Sequence, residues 1–392
     1  MKYILCLILC LFIISCNASE TLTFNEFLDN YSKEVIILNP STGSYLGLDP
    51  SGDYSYDKSK LTDNSKAAYQ HELKLVNEYF HNVKKIDQLS NKNTLESSVF
   101  KHYLQNIIAT DEYRYHYYML NYMYGFHSNL MSLFTENHSI YDEQDINDYL
   151  SRMGQLDNYF NNIFLELKKR EKLNIIPSKI ILNKLQNIID DFLEKRPVEM
   201  IYYTHFEEKL NELEDVDAVQ KQIYLARCLD AVNSNIVPNY KNISTHIDEL
   251  KKKTDNTAGV WKLPDGENFY KFCLQKHTTT DLTPEEIHII GLNEVARIQA
   301  ESLQRFKKLG FTEGTFSEIE EQYWNYMQGD KFKYSQNDKG RQQALNDYLQ
   351  IIEETDERLT NVFKKIPSIP VTVRAVPPHK EQFAGQYYDR AP

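Results

Sequence analysis

INDYLSRMGQLDNYFNNIFLEL, residues 146 to 167, decides the fold class. Ile146, Tyr149, Leu150, Met153, Leu156, Phe160, Ile163 and Leu167 recur at spacings of three and four. That spacing lines one side of an α-helix, whereas a strand needs a period of two. Charge falls on the opposite face, as in a helix that packs by one side only. The pattern predicts one continuous helix across the stretch.

Working outward, the same periodicity recurs in Leu73, Val76, Phe80 and Val83, and again in Val99, Phe100, Tyr103, Leu104, Ile107 and Ile108. No proline interrupts the chain between Pro50 and Pro177. Pro177 opens a further helix running to about Glu194, because a proline is tolerated in a first helical turn and not inside. More helices are expected over 205–214, 216–235, 238–253 and 266–276. The period changes only in IPVTVRAVP, residues 369 to 377. There Val371, Val373 and Ala375 alternate with Thr372 and Arg374, between Pro370 and Pro377. This reads as a short edge strand, since proline cannot donate inside a sheet. The expected class is mostly α, with that short β-strand near the C-terminus. No internal repeat, low-complexity tract or clear linker divides the chain.

The chain starts MKYILCLILCLFIISCNAS. One cation, Lys2, precedes an apolar run too short to span a membrane, which needs about 20 residues. Residues 1–15 read as a secretory signal. Ile13-Ile14-Ser15-Cys16 has the form of a bacterial lipobox, in which cleavage precedes the cysteine and its thiol takes a lipid. The expected partner is then a membrane reached through a lipid on Cys16, and the location is the bacterial envelope after export, on the outer membrane or the periplasmic face. Ordinary cleavage after Ala18 or Ser19 would instead discard Cys16.

Loss of residues 1–15 removes Lys2 and no acid, so 44 basic residues become 43 against 56 acidic ones, a net charge of −13. Such a surface is a poor partner for nucleic acid or anionic lipid. Of the five cysteines, Cys16, Cys228 and Cys273 remain after cleavage. With Cys16 lipidated, only Cys228 and Cys273 could pair. Both lie in apolar, helix-like stretches, which favours two buried free thiols.

KHTTTDLTPEEIH, residues 276 to 288, invites a catalytic reading through His277, His288, Glu285 and Glu286. Local structure accounts for it better. Thr283, Pro284 and Glu286 have the spacing of a helix capping box with proline in the first turn. The helix should run to about Leu309, where Gly310 supplies the stop. Thr278 to Thr280 fit a tight connection whose hydroxyls satisfy free backbone groups. His277 and His288 fall on different elements without metal-ligand spacing. His71-Glu72-Leu73-Lys74-Leu75 lacks the second histidine of a zincin motif. No catalytic or metal-ligating residue is assigned from the residues alone.

The oddest composition is YRYHYYMLNYMYGFH, residues 113 to 127, with six tyrosines, a phenylalanine and two histidines. It reads either as an aromatic-lined pocket or as a buried helix whose tyrosine hydroxyls find partners. The second reading is preferred from the usual burial of such residues.

GVWKLPDGENFYKFCLQKHTTTDLTPEEIHIIGLNEVARIQAE (259–301) resembles a signature of the bacterial DUF885 family. So do NPSTGSYLGLD (39–49), DYLSRMGQLDNYF (148–160), IIPSKIILNKLQNII (175–189), NIVPNY (235–240) and IPVTVRAVPPH (369–379), in the same order. The resemblance implies one domain over 16–392, the helical half of a gluzincin-like fold. It also implies kinship with zinc-dependent metallopeptidases. Their His-Glu-x-x-Pro-Gly-His-His helix holds the metal, and its glutamate activates the zinc-bound water. No such stretch occurs here. The expectation is therefore a chain truncated before the zinc motif and inactive as given, with zinc and a peptide substrate belonging to the full-length form. The alternative is a non-enzymatic envelope lipoprotein that binds a peptide or protein through 113–127.

Overall fold

The computed structural model describes residues 23–90, 94–366, 369–376 and 385. It is mostly helical, at 70%. The helices in chain order begin with α1 (Phe24–Leu38), α2 (Pro40–Tyr45), α3 (Lys66–Ser90), α4 (Leu95–Thr110) and α5 (Phe126–Ser132). Then come α6 (Glu143–Gly154), α7 (Leu156–Lys172), α8 (Lys179–Leu193), α9 (Ile201–Glu212) and α10 (Ala218–Ala231). The last five are α11 (Val237–Lys251), α12 (Gly266–Thr278), α13 (Pro284–Lys308), α14 (Phe316–Met327) and α15 (Asp338–Leu359). Residues 1–15 and Cys16 lie outside the described residues, so the expected signal and lipidation site have no structural description here.

The chain divides into two compact units. The first takes residues up to Glu112, Leu133–Phe164 and Tyr203–Ile236. Most of the opening stretch lies at its centre, with Ile146, Tyr149, Leu150, Met153, Leu156, Phe160 and Ile163 all buried. Tyr149 packs between Phe134 and Phe206, at ring-centroid distances of 4.9 and 5.0 Å. A second apolar cluster joins α1, α3 and α4 through Phe27, Tyr31, Val76, Tyr79, Val83, Phe100 and Leu104.

The stretch is not one helix, as the periodicity predicted. It breaks between α6 and α7 at Gln155. The Gln155 side chain accepts from Leu61 N at 3.1 Å and donates to Ser59 O at 2.8 Å, which ties the 59–61 loop to the break. Glycine at 154 loosens the helix there, and the loop contacts reward the bend. A comparable adjustment precedes Pro238. Residues Val232–Ile236 form a wide π-helical turn between α10 and α11. Proline inside a helix lacks an N–H, and a π turn absorbs the resulting mismatch.

The second unit takes Tyr113–Ser132, Leu165–Tyr202 and residues from Val237 onward. In it α8 packs along α11, and a buried pair of hydroxyls, Tyr202 and Tyr240, meets at 3.1 Å. Pro177 does precede a helix, but α8 starts two residues later with Ser178 as its cap.

The expected strand over 369–377 is not present among the described residues. Residues 369–376 carry no strand assignment. Alternation sets the two faces of a pleat, but a strand exists only when its N–H and C=O groups pair with a neighbour. Pro370 offers no N–H to such a ladder. Among the described residues no helix is long and apolar enough to cross a membrane.

Candidate functional site

The aromatic segment and the 259–301 block belong together in the second unit. Tyr113, Ile175, Leu263 and Phe269 form one buried cluster, with Tyr115, Tyr118, Phe272 and Cys273 against it. Tyr113 stacks on Phe272 at 4.9 Å, and Tyr117 meets Phe269 edge-on at 5.5 Å. The segment is not the buried helix preferred from composition. Residues 114–125 are irregular, and α5 starts only at Phe126. The reason lies in partners far along the chain, which take up the backbone groups of this segment.

Side-chain clamps hold the irregular backbone in place of helical bonds. Arg170 on α7 donates to Tyr117 O at 3.1 Å and to Arg114 O at 3.2 Å. Arg114 and Arg170 both reach Glu166, at 2.7 and 2.8 Å. The same two guanidiniums lie 5.1 and 5.2 Å from the centre of the Tyr115 ring. His116 Nε2 lies 2.7 Å from Pro264 O. A carbonyl only accepts, so this nitrogen is the donor. Gly266 is required at the start of α12, since a Cβ there would sit 1.8 Å from Val260 O.

Burial shifts the titratable groups of this aromatic wall. Burial pushes the Cys273 thiol up, which disfavours the thiolate nucleophile. Burial and the neighbouring Cys273 also raise Tyr117. Burial drops buried His127 to about 4, so it stays neutral near pH 7. Lys276 lies 5.6 Å from the centre of the Tyr117 ring.

The TTTDLTPEEIH stretch does what its spacing predicted. Glu286 N donates to Thr283 Oγ1 at 3.2 Å, and Thr283 N donates to a Glu286 carboxylate oxygen at 2.8 Å. Thr278 Oγ1 donates to Leu274 O and accepts from Thr280 N. Gly310 has φ of +95°, and the Gly310 N–H and Phe311 N–H close back on Lys307 O and Phe306 O. That is a Schellman stop. His277 and His288 are exposed on different helices. Zinc needs about four convergent ligands, and no group of three His, Cys, Asp or Glu residues among the described ones could hold a metal. His71 and Glu72 instead line, with Leu38, Asn39 and Asp63, an open cavity of about 330 Å³ in the first unit. Cys228 and Cys273 are both free thiols. Cys228 is fully buried near Met153 Sδ, while Cys273 is only half-buried.

Sequence reasoning missed the most heavily buried polar network. Arg152 is fully buried. It donates to Lys60 O at 3.0 Å, to His138 Nδ1 at 3.0 Å and to Pro40 O at 3.4 Å. Guanidinium only donates, so His138 Nδ1 accepts, and Nε2–H donates to Asp145 O at 3.0 Å. Burial and the Arg152 charge hold His138 down to about 3, and burial lowers Arg152 to about 10. Beside them the buried Lys58 pairs with Asp145 and donates to Ser139 O at 2.9 Å. The one available signal was Arg152 standing on the apolar side of the stretch, next to Met153. The network ties 40, 58–60 and 138–145 to α6. It is a structural knot of buried cations and the groups that satisfy them.

These features define a helical protein with a signature block packed on an aromatic wall. The chain belongs to the DUF885 family, described as "Bacterial protein of unknown function", whose model matches residues 40–392. Its fold is similar to a crystal structure described as "the putative lipoprotein from Colwellia psychrerythraea", with a TM-score of 0.80 and 20% sequence identity. The match covers 93% of this chain and 64% of that one, so this chain spans under two thirds of the neighbour's length. No curated protein matches it.

Proposed function

We propose that this chain is the helical, lipid-anchored part of an envelope protein of the DUF885 family, without a hydrolytic centre of its own. The observation that carries this reading is the ordered family match over 40–392, joined to the missing third of the neighbour's length. Zinc-peptidase chemistry, with histidines on the metal and a glutamate base, would belong to polypeptide outside these residues. Among the described residues no cluster of His, Cys, Asp or Glu fits zinc, and no step is assigned to them. A lipid on Cys16 would hold the protein at the membrane. This agrees with the neighbour's description and with the lipobox spacing.

Two measurements test it. Cells given a labelled fatty acid should label the wild-type chain and not the Cys16→Ala variant. Label that persists without Cys16 defeats the anchor. Elemental analysis of the dialysed protein should give far less than one zinc per chain. A full zinc that is lost in His277→Ala or His288→Ala would move the active site into TTTDLTPEEIH.

A further inference from the structure

Helix α13 is built with care and left uncovered. Both of its ends are satisfied, by the Thr283–Glu286 box and by the Gly310 stop. Along it Ile289, Leu292, Val295 and Ile298 stand at steps of three, which makes one ridge of the kind that seats in a groove of another helix. Each of the four is more than half exposed, and no residue of α13 is buried. Beside it Arg297 is tied to Glu294 at 2.6 Å and to Glu301 at 2.7 Å on the same helix. Towards its far end Phe306 meets Tyr323 of α14 at 5.1 Å. Single exposed aliphatics are ordinary, but a continuous ridge of four marks an interaction surface.

We propose that this ridge is the docking surface for the polypeptide that the longer relatives carry and this chain does not match. The inference rests on the reading that the chain is one part of such a protein. The neighbour shares the fold over 93% of this chain, yet more than a third of its own length remains unmatched. That extra polypeptide has to pack on the shared fold, and it must present an apolar groove to meet α13.

The first test is the burial of the helix equivalent to 284–308 in the Colwellia protein. Its ridge is expected to be covered by the unmatched part of that chain. A ridge open to solvent there overturns the proposal. The second test uses the full chain carrying Leu292→Lys with Val295→Lys. Binding of a hydrophobic dye is expected to fall at least about twofold, with the melting temperature held within about 2 °C, as for exposed sites. A drop beyond about 5 °C would show the ridge already buried within this chain and sink the idea. Sedimentation of the wild type is expected to show a monomer. A dimer that the double variant dissociates would replace the proposed occupant with a second copy. Loss of the Cys16 result would defeat the anchor reading and leave these outcomes standing.

Discussion

Residues 146–167 and helix α13 carry the same kind of apolar repeat, and the structure treats them oppositely. Every periodic residue of the first is buried or nearly so. No residue of α13 is buried, although its apolar ridge is as regular. Periodicity states which face of a helix seeks cover. Whether cover exists depends on partners elsewhere in the chain or outside it. The two helices also differ in how their charges are settled. Arg152 is drawn into the interior and satisfied by two carbonyls and a neutral histidine, whereas Arg297 stays in water with two glutamates of its own helix.

Replacing Arg152 tests the comparison hardest. Arg152→Met leaves Lys60 O, Pro40 O and His138 Nδ1 without their donor, and should cost about 3–5 kcal/mol in denaturant unfolding. Arg152→Lys should recover little of this, since one ammonium cannot span three acceptors. A loss below about 1 kcal/mol would mean that the knot is ornamental.

Matched truncations come next. Ile163→Ala removes a fully enclosed side chain and should cost about 2–4 kcal/mol. Ile298→Ala, at a half-exposed site, should stay within about 0.5 kcal/mol and could gain slightly from the better helix former. Equal effects at the two positions would erase the distinction between the helices.

The acid limb of stability is a smaller effect. His138 is held at about 3 in the folded chain against an ordinary value of 6.5. As the pH falls below 6.5, the unfolded chain takes up a proton that the folded chain refuses. Stability should therefore decline from about pH 6.5 towards 3, by at most about 1.4 kcal/mol per pH unit for this group. His127, at about 4, adds its share between 6.5 and 4. Glutamine can accept from Arg152 and donate to Asp145 O, so His138→Gln should flatten that slope. An unchanged slope would remove His138 from the acid response. The least effect of all is expected at His288→Ala, which should leave stability within about 0.5 kcal/mol because the ring is exposed at a helix surface.

Much of this was legible beforehand. The capping box at Thr283, the glycine stop at 310 and the threonine connection at 278–280 are local, set by residues within a few positions of one another. The faces of 146–167 were equally readable. Three things were not. The break at Gln155 depends on a loop nearly a hundred residues earlier in the chain. The irregular 114–125 segment depends on Arg170 and Pro264, far along the sequence. The pattern at 371–375 promised a strand, and pairing withheld it.

By itself the sequence determined the helical class, the cap positions, the direction of each apolar face and the family, because those follow from spacing and from residue types at fixed offsets. Only the tertiary structure decided that Arg152 would be buried, that His138 would be its neutral acceptor, and that the ridge of α13 would stay open. Burial is a property of what lies across from a residue. Partners that come from distant parts of the chain leave no mark at the position they cover.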